Sequence, residues 1–374
     1  MHFVNAYRRV AGSRPVPGYA RWCVLLLLCA SASVPGSPTH DRRDGLKIDV
    51  IRDRLTLAMT GYPQVYLHGE IDADAAQRFR GMLDSGRISF GSDIYLNAAG
   101  GDADAGMALG RMFRAAGMAT HLGTPRLPKH ASVAAKTAVC TDACVYAYLG
   151  GLYRWAPSGR DRIGFSTPPA GGATVPSGVS AYLKDMGIDA AALAAAVTTS
   201  NVGPAWMTAD QMTAHNLANN GKLPLTATAQ LSAPMPTIEL RQVERKGTHR
   251  LTIQCSPGKT IVTAFDEVGV VRARQVAARD ARSYFQLGDK PVLDQASDGA
   301  VVEGNALVIR RAYPPADLVD LVSAWSVGAW VDGRSNAFRD GFRMPTHLVH
   351  QQLSDYFYAC WRAAPWPPRQ KKPG

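Results

Sequence analysis

The stretch Asp93-Ile94-Tyr95-Leu96-Asn97-Ala98-Ala99-Gly100-Gly101 sets a short apolar strand against a turn, Ala98 to Gly101, and a helical pattern begins just beyond it. Ala105, Leu109, Met112, Phe113 and Ala116 fall on one face of that pattern, which predicts a helix from about Ala103 to Ala116. Upstream, Gln64-Val65-Tyr66-Leu67 reads as a strand and Asp72 to Asp84 as a helix; downstream, Met118 to Leu122 reads as a third strand. Short strands alternating with helices point to parallel α/β construction. A second turn, Cys140-Thr141-Asp142-Ala143-Cys144, leads into the apolar run Val145 to Leu149. Tyr153-Arg154-Trp155 and Ile163-Gly164-Phe165-Ser166 flank Pro157-Ser158-Gly159 and read as two strands paired with each other. Helical stretches at about 178–199 and 204–217 complete this part of the chain.

Beyond Thr226 the pattern changes. Thr237–Val243, His249–Cys255, Thr260–Phe265, Ala300–Val302 and Ala306–Arg310 read as strands separated by turn residues. Pro315 to Ala324 and His347 to Trp361 read as helices, and Trp325, Trp330, Phe338 and Phe342 as aromatic core material. The expected organisation is an α/β domain over residues 46–225 and a mostly β domain with a closing helix over residues 226–374.

The 374 residues are 46% hydrophobic and 19% charged, enough apolar material for one large core or two ordinary ones and too much for a disordered chain. The net charge is +11, but Arg8, Arg9, Arg14 and Arg21 lie in the first 32 residues, leaving +7 on the rest. Apart from the Arg369–Lys372 tail there is no basic run and no interleaving of aromatic and basic residues, so nucleic acid is not an expected partner. Residues 1–32 combine a basic start, the apolar run Trp22–Ala30 and Ala30-Ser31-Ala32, the layout of a cleaved secretory signal peptide. Residues 33–45 follow as a polar linker, and no other stretch approaches the length of a membrane helix. The expected location is the periplasm or the exterior.

Export places Cys140, Cys144, Cys255 and Cys360 in an oxidising compartment, where four cysteines allow three pairings. Cys140 and Cys144 stand one helical turn apart, close enough for a bridge, which leaves Cys255 for Cys360. The alternative is one bridge and two free buried thiols. No His or second Cys pair stands at ligand spacing, so neither a metal nor a cofactor is expected.

The order of these pieces resembles the Clp-protease and crotonase superfamily, most of all its exported bacterial branch. There a strand leads into a Gly-x-Ile segment, as Val65-Tyr66-Leu67-His68-Gly69-Glu70-Ile71 does here, and an Asn-Ser-Pro-Gly-Gly turn corresponds to Asn97-Ala98-Ala99-Gly100-Gly101. A Cys-x-Ser-Ala-Cys pattern corresponds to Cys140-Thr141-Asp142-Ala143-Cys144, and the position of the family's catalytic His falls on Ser166. The resemblance covers roughly residues 47–222 and implies a ββα superhelix. In it the N–H groups of Gly100, Gly101 and Ala143 would form an oxyanion-type cradle. It also implies self-association into rings or trimers.

The departures carry equal weight. Asp142 replaces the nucleophilic Ser and Ser166 replaces the base, so the pair that activates a hydroxyl is missing. Asp142 is expected instead to cap the helix that follows it. The function expected from this pattern is that of a catalytically inactive exported relative acting by binding or assembly, with a peptide or another envelope protein as ligand. The competing reading is an active serine-type hydrolase with relocated chemistry, either a Ser132/Lys136 pair or Asp142 as a general acid/base. A further alternative places function in the C-terminal domain, with Trp325, Trp330, Trp361 and Trp366 as a contact surface and the basic tail touching acidic lipid.

Overall fold

The computed structural model describes residues 45–125, 137–166, 177–197, 204–232, 234–291, 299–333 and 338–366. The signal segment, the linker up to residue 44, Ser132, Lys136 and the Arg369–Lys372 tail lie outside the described residues. The first part of the chain runs β1 (Lys47–Ile51), α1 (Arg54–Thr60), β2 (Gln64–His68), α2 (Ala75–Asp84), β3 (Asp93–Ala99), α3 (Ala103–Ala115), β4 (Ala119–Leu122), β5 (Val139–Thr141), α4 (Ala143–Leu149), β6 (Tyr153–Arg154), β7 (Arg162–Phe165), α5 (Ser177–Asp185), α6 (Ala190–Ala196), β8 (Ala205–Met207) and α7 (Ala209–Ala214). Its eight strands form one sheet in which β2, β3, β4, β5, β6 and β7 pair in parallel, while β1 and β8 pair antiparallel at the edges.

The expected hairpin between Tyr153-Arg154-Trp155 and Ile163 to Ser166 does not form. β6 pairs in parallel with β4, and β7 pairs with β5 and β8. Parallel partners need long crossovers, so two strands adjacent in sequence go to different neighbours. Ala98 and Ala99, expected in a turn, continue β3; the helix expected over about 204–217 is confined to α7, and its first residues instead form β8, which pairs with β7.

The amphipathic face of α3 is as the spacing predicts: Ala105, Leu109, Met112 and Phe113 are buried, and Phe113 meets Phe79 of α2 edge-on at 5.1 Å between ring centroids. Asp102 caps α3 by accepting from the Ala105 N–H at 2.7 Å. α4 is buried almost entirely and lies backbone-close to α3, since a Cβ on Gly106 would stand 2.2 Å from the Ala143 carbonyl oxygen. Two guanidinium groups close the C-terminal end of α4. Arg114 donates to the carbonyls of Gly150 (3.1 Å) and Gly151 (3.1 Å), and the buried Arg154 to those of Gly151 (3.0 Å), Leu217 (2.7 Å) and Asn216 (3.0 Å). The carbonyls of Gly150 and Gly151 follow the end of α4, where cations suit the helix dipole, whereas Asn216 and Leu217 follow α7, so Arg154 ties the two helix ends together.

The rest of the chain runs β9 (Thr226–Gln230), β10 (Thr237–Glu244), β11 (Gly247–Ser256), β12 (Lys259–Glu267), α8 (Val270–Ala277), β13 (Asp280–Leu287), β14 (Lys290–Pro291), β15 (Val301–Glu303), β16 (Ala306–Tyr313), α9 (Leu318–Ser323), β17 (Val327–Gly333), β18 (Arg339–Met344) and α10 (His350–Ala363), with single 3-10 turns before α9 and α10. An antiparallel six-stranded sheet (β15-β16-β12-β11-β10-β9) and a four-stranded one (β14-β13-β17-β18) enclose its apolar side chains. Buried apolar residues form two clusters along the chain, one from Leu46 to Ala218 and one from Leu225 to Cys360. Mixed α/β architecture therefore holds, with ten α-helices among the described residues. Trp325, expected in the core, is 70% exposed and stacks on His347 at 3.7 Å between centroids; Phe342 is buried as expected.

The two-residue turn between β10 and β11 inserts polar groups against the first cluster. Arg245 lies over the Tyr62 ring at 3.6 Å, donates to the Gly91 carbonyl, and pairs with Asp93 at 2.9 Å. Both charged side chains are about nine-tenths buried. Beside them Lys222 pairs with Glu244 at 2.6 Å, and His249 sits between Glu244 (3.5 Å) and Asp266 (2.8 Å) while stacking on Phe342. Burial alone would depress the imidazolium of His249, but the carboxylates of Asp266 and Glu244 outweigh it and push the group up to about 9.

Removing one member of the buried pair leaves the other charge uncompensated, so Arg245→Met should destabilise the protein by about 3–5 kcal/mol in urea denaturation. Adding Asp93→Asn to that variant should recover part of the loss. His249 holds a proton that the unfolded chain releases near pH 6.5, so its contribution is full below that pH and disappears as pH rises through about 9. The urea midpoint should therefore fall between pH 6.5 and 9, and His249→Gln should flatten that slope.

Candidate functional site

The site is assembled where β3 changes neighbours. Asp93 to Leu96 pair with β4, whereas Ala98 and Ala99 pair with Cys140 and Thr141 of β5. The side chain of Asn97, between the two registers, accepts the Val139 N–H at 2.9 Å and helps to hold β5 in place. The chain then turns at Gly100 and Gly101, with φ of 85° and 114°. A Cβ on Gly101 would stand 2.2 Å from the Ile71 carbonyl oxygen, so no side chain fits. Gly100 N–H donates to the Thr141 carbonyl (3.3 Å) and Asp102 N–H to that of Ile71 (2.7 Å).

Thr141 leads directly into Asp142, which adopts φ 53° and ψ −109° between β5 and α4. A non-glycine residue in this half of the dihedral map is strained, and a sharp strand-to-helix turn of this kind is how α/β hydrolases expose a nucleophile. Here the exposed group is a half-buried carboxylate. One oxygen accepts the Ser166 N–H at 3.0 Å and the other accepts the Ser166 hydroxyl at 2.7 Å. The two positions singled out in the sequence are thus each other's partners. The expected helix cap is absent: the Asp142 side chain accepts nothing from α4, because its backbone lacks the extended dihedrals of a capping residue.

Gly100 faces this couple, since a Cβ there would stand 3.9 Å from an Asp142 carboxylate oxygen. Ala143 is the first residue of α4, so its N–H has no intrahelical acceptor. The Cys140 and Cys144 sulfurs are bonded, joining β5 to α4 on either side of Asp142, with 5.2 Å between Cα atoms. A second bridge, Cys255–Cys360, joins β11 to α10. Both follow the pairing that the spacing favours.

Tyr146, one turn beyond Asp142, was not singled out from sequence. Burial and then the Asp142 charge push its phenol up. The Tyr182 hydroxyl donates to its carbonyl at 2.6 Å, and its ring meets Phe165 at 6.0 Å between centroids. Its four-residue spacing from Asp142 is visible in the sequence, but only the helix gives that spacing meaning. Among the described residues no cluster of three or more His, Cys, Asp or Glu side chains is disposed to hold a metal.

The chain matches no family model. It matches no curated protein. Among solved structures, a mutant of the 1510-N membrane-bound stomatin-specific protease is similar over 42% of this chain and 75% of that one, with 17% identity and a TM-score of 0.27. At that score the likeness fixes neither the arrangement of the domains nor a function.

The strain and the hydrogen bonds at Asp142 can be separated by substitution. Asp142→Gly and Asp142→Ala both lose the contacts to Ser166, but only glycine accepts the elbow dihedrals freely. Asp142→Gly should therefore be more stable than Asp142→Ala by about 1–2 kcal/mol in urea denaturation.

Proposed function

We propose that this chain is an exported, catalytically inert relative of the Clp-protease and crotonase superfamily that acts by binding or assembly in the envelope. The observation that carries the reading is the Asp142–Ser166 couple at the elbow. A carboxylate occupies the place where a hydroxyl nucleophile would attack, and the Ser166 hydroxyl beside it is held by that carboxylate. The N–H groups of Gly101 and Ala143 form the inherited cradle in this reading, while that of Gly100, also expected there, is taken up by the Thr141 carbonyl. The neighbouring carboxylate weakens that cradle for the developing negative charge that oxyanion chemistry requires. Both disulfides fit export, and among the described residues no helix is long and apolar enough to cross a membrane. Ligands of such a protein are peptide segments or envelope proteins, and self-association belongs to the same reading.

One distance favours a second reading. The 2.7 Å contact between the Ser166 hydroxyl and Asp142 is short enough for proton transfer, so Ser166 would be a relocated nucleophile and Asp142 its base. A carboxylate is a weaker base than the imidazole it would replace, and the Ser166 N–H holds its other oxygen. A fluorophosphonate probe decides between the two. The purified chain should stay unlabelled under conditions that label a serine hydrolase to completion. Stoichiometric labelling that disappears in Ser166→Ala would establish the hydrolase instead.

A further inference from the structure

α10 buries one face. Leu353, Tyr356 and Cys360 belong to the C-terminal apolar cluster, and the Cys255–Cys360 bridge ties the helix to β11. The outer face changes character along its length. Its first half is polar, with the Gln351 amide donating to Asp355 at 3.1 Å. Its last turns carry Tyr358, Trp361 and Arg362, spaced three and four residues apart and so on one side of the helix. Tyr358 is 58% exposed and Trp361 37%. Beyond Ala363 the chain doubles back, and the Trp366 ring meets Trp361 at 4.9 Å and Phe357 at 5.7 Å between centroids. Aromatic rings thus gather at the outer end of a helix whose core face is already filled. Charge follows the same division: no acid comes after Asp355 in the sequence, whereas Arg362, Arg369, Lys371 and Lys372 do. The last three fall within six residues of Trp366, a length of chain no longer than about 22 Å.

A purely apolar pocket would not reward these cations, and a purely acidic surface would not reward the rings. The boundary of a bilayer rewards both. Trp and Tyr settle at headgroup level with their apolar bodies toward the acyl chains, and each Lys or Arg near anionic lipid tightens binding about fivefold. We propose that the end of α10 is a peripheral membrane-contact site for an anionic bilayer. Tyr358, Trp361 and Trp366 enter the interface, and Arg362, Arg369, Lys371 and Lys372 lie against lipid phosphates. The contact is peripheral, since among the described residues no helix is long and apolar enough to cross a membrane. The bridge at Cys360 holds the last turns of α10 in place, so little order has to be gained when the rings reach the lipid. This surface is separate from the Asp142 elbow and does not depend on the function proposed for it.

The test is co-sedimentation with lipid vesicles of the purified chain without residues 1–32, the form that export leaves and one that keeps both apolar clusters. Vesicles of equimolar phosphatidylcholine and phosphatidylglycerol should bind it about a hundredfold tighter than phosphatidylcholine alone. Raising the salt from about 50 mM to about 500 mM should remove most of that difference. Arg369→Gln, Lys371→Gln and Lys372→Gln together should weaken binding to the mixed vesicles about a hundredfold. Tyr358→Ser with Trp361→Ser, both at exposed positions, should weaken it at least fivefold, whereas Trp325→Ala should leave it within twofold. Bromine on the upper acyl carbons should quench tryptophan emission, and Trp361→Phe with Trp366→Phe should remove most of the quenching. Equal binding to the two vesicle types, undiminished quenching in that variant, or an equal loss with Trp325→Ala would overturn the proposal. Absence of binding to the mixed vesicles would overturn it in favour of an acidic protein as the occupant.

Discussion

Everything at the elbow depends on a close approach of two backbones, that of Gly101 against Ile71. No Cβ fits there, and the Asp102 N–H bonds to the Ile71 carbonyl at 2.7 Å. That contact fixes where β3 ends and where α3 begins. It also fixes the last residues of β3 beside β5, because Ala98 and Ala99 can pair with Cys140 and Thr141 only if the chain continues straight past β4. From there the position of Asp142 follows through the sheet. Its N–H bonds to Gly164 of β7 and its carbonyl accepts the Val145 N–H of α4, so the residue is held on both sides in a conformation that it would not adopt alone.

The second constraint is electrostatic and lies between the two apolar clusters. Asp93 opens β3, and its carboxylate is held by Arg245 from the β10–β11 turn. The strand that delivers Gly100 at one end is therefore anchored at the other by a charge from the C-terminal part of the chain. Buried pairs of this type contribute little over an apolar contact of equal size, yet they are expensive to mismatch. Such a pair selects one register of the turn against the sheet more than it adds stability. A stack of the buried Tyr66 with the half-buried Tyr95, His121 and Trp155, centroids 4.5–4.8 Å apart, runs across the same face and reinforces that register.

Much of the first part was legible because its signals are local. The apolar spacing of α3, the glycines at 100 and 101 and the four-residue Cys140–Cys144 interval each express a constraint met within a few residues. The hairpin expected at Tyr153 and Ile163 failed because strand partners in a parallel sheet are set by crossovers that no short window contains. β17 and β18 were missed for a related reason: Gly328, Gly333 and Gly341 interrupt their apolar runs, and long-range pairing with β13 supplies the order instead. At the site, the sequence singled out Asp142 and Ser166 as separate positions. Nothing local says that residues 24 apart would bond, since that depends on β5 and β7 lying side by side.

That pairing changes how the two residues are read. An acid at a helix start would ordinarily be read as a cap, a role that any Asp, Asn or Ser fills. Asp142 does not fill it. Its carboxylate instead ties the end of β7 to the elbow through two hydrogen bonds, one to backbone and one to a hydroxyl. A serine at position 142 has one shorter-reaching, uncharged oxygen in place of the two that Asp142 uses, and a residue without a hydroxyl at 166 would leave one of those oxygens free. Position 142 is thus chemically matched to position 166, and the match joins two strand ends of the sheet. Two residues placed independently would carry no such complementarity, so Asp142 and Ser166 are better understood as one structural unit than as two separate features.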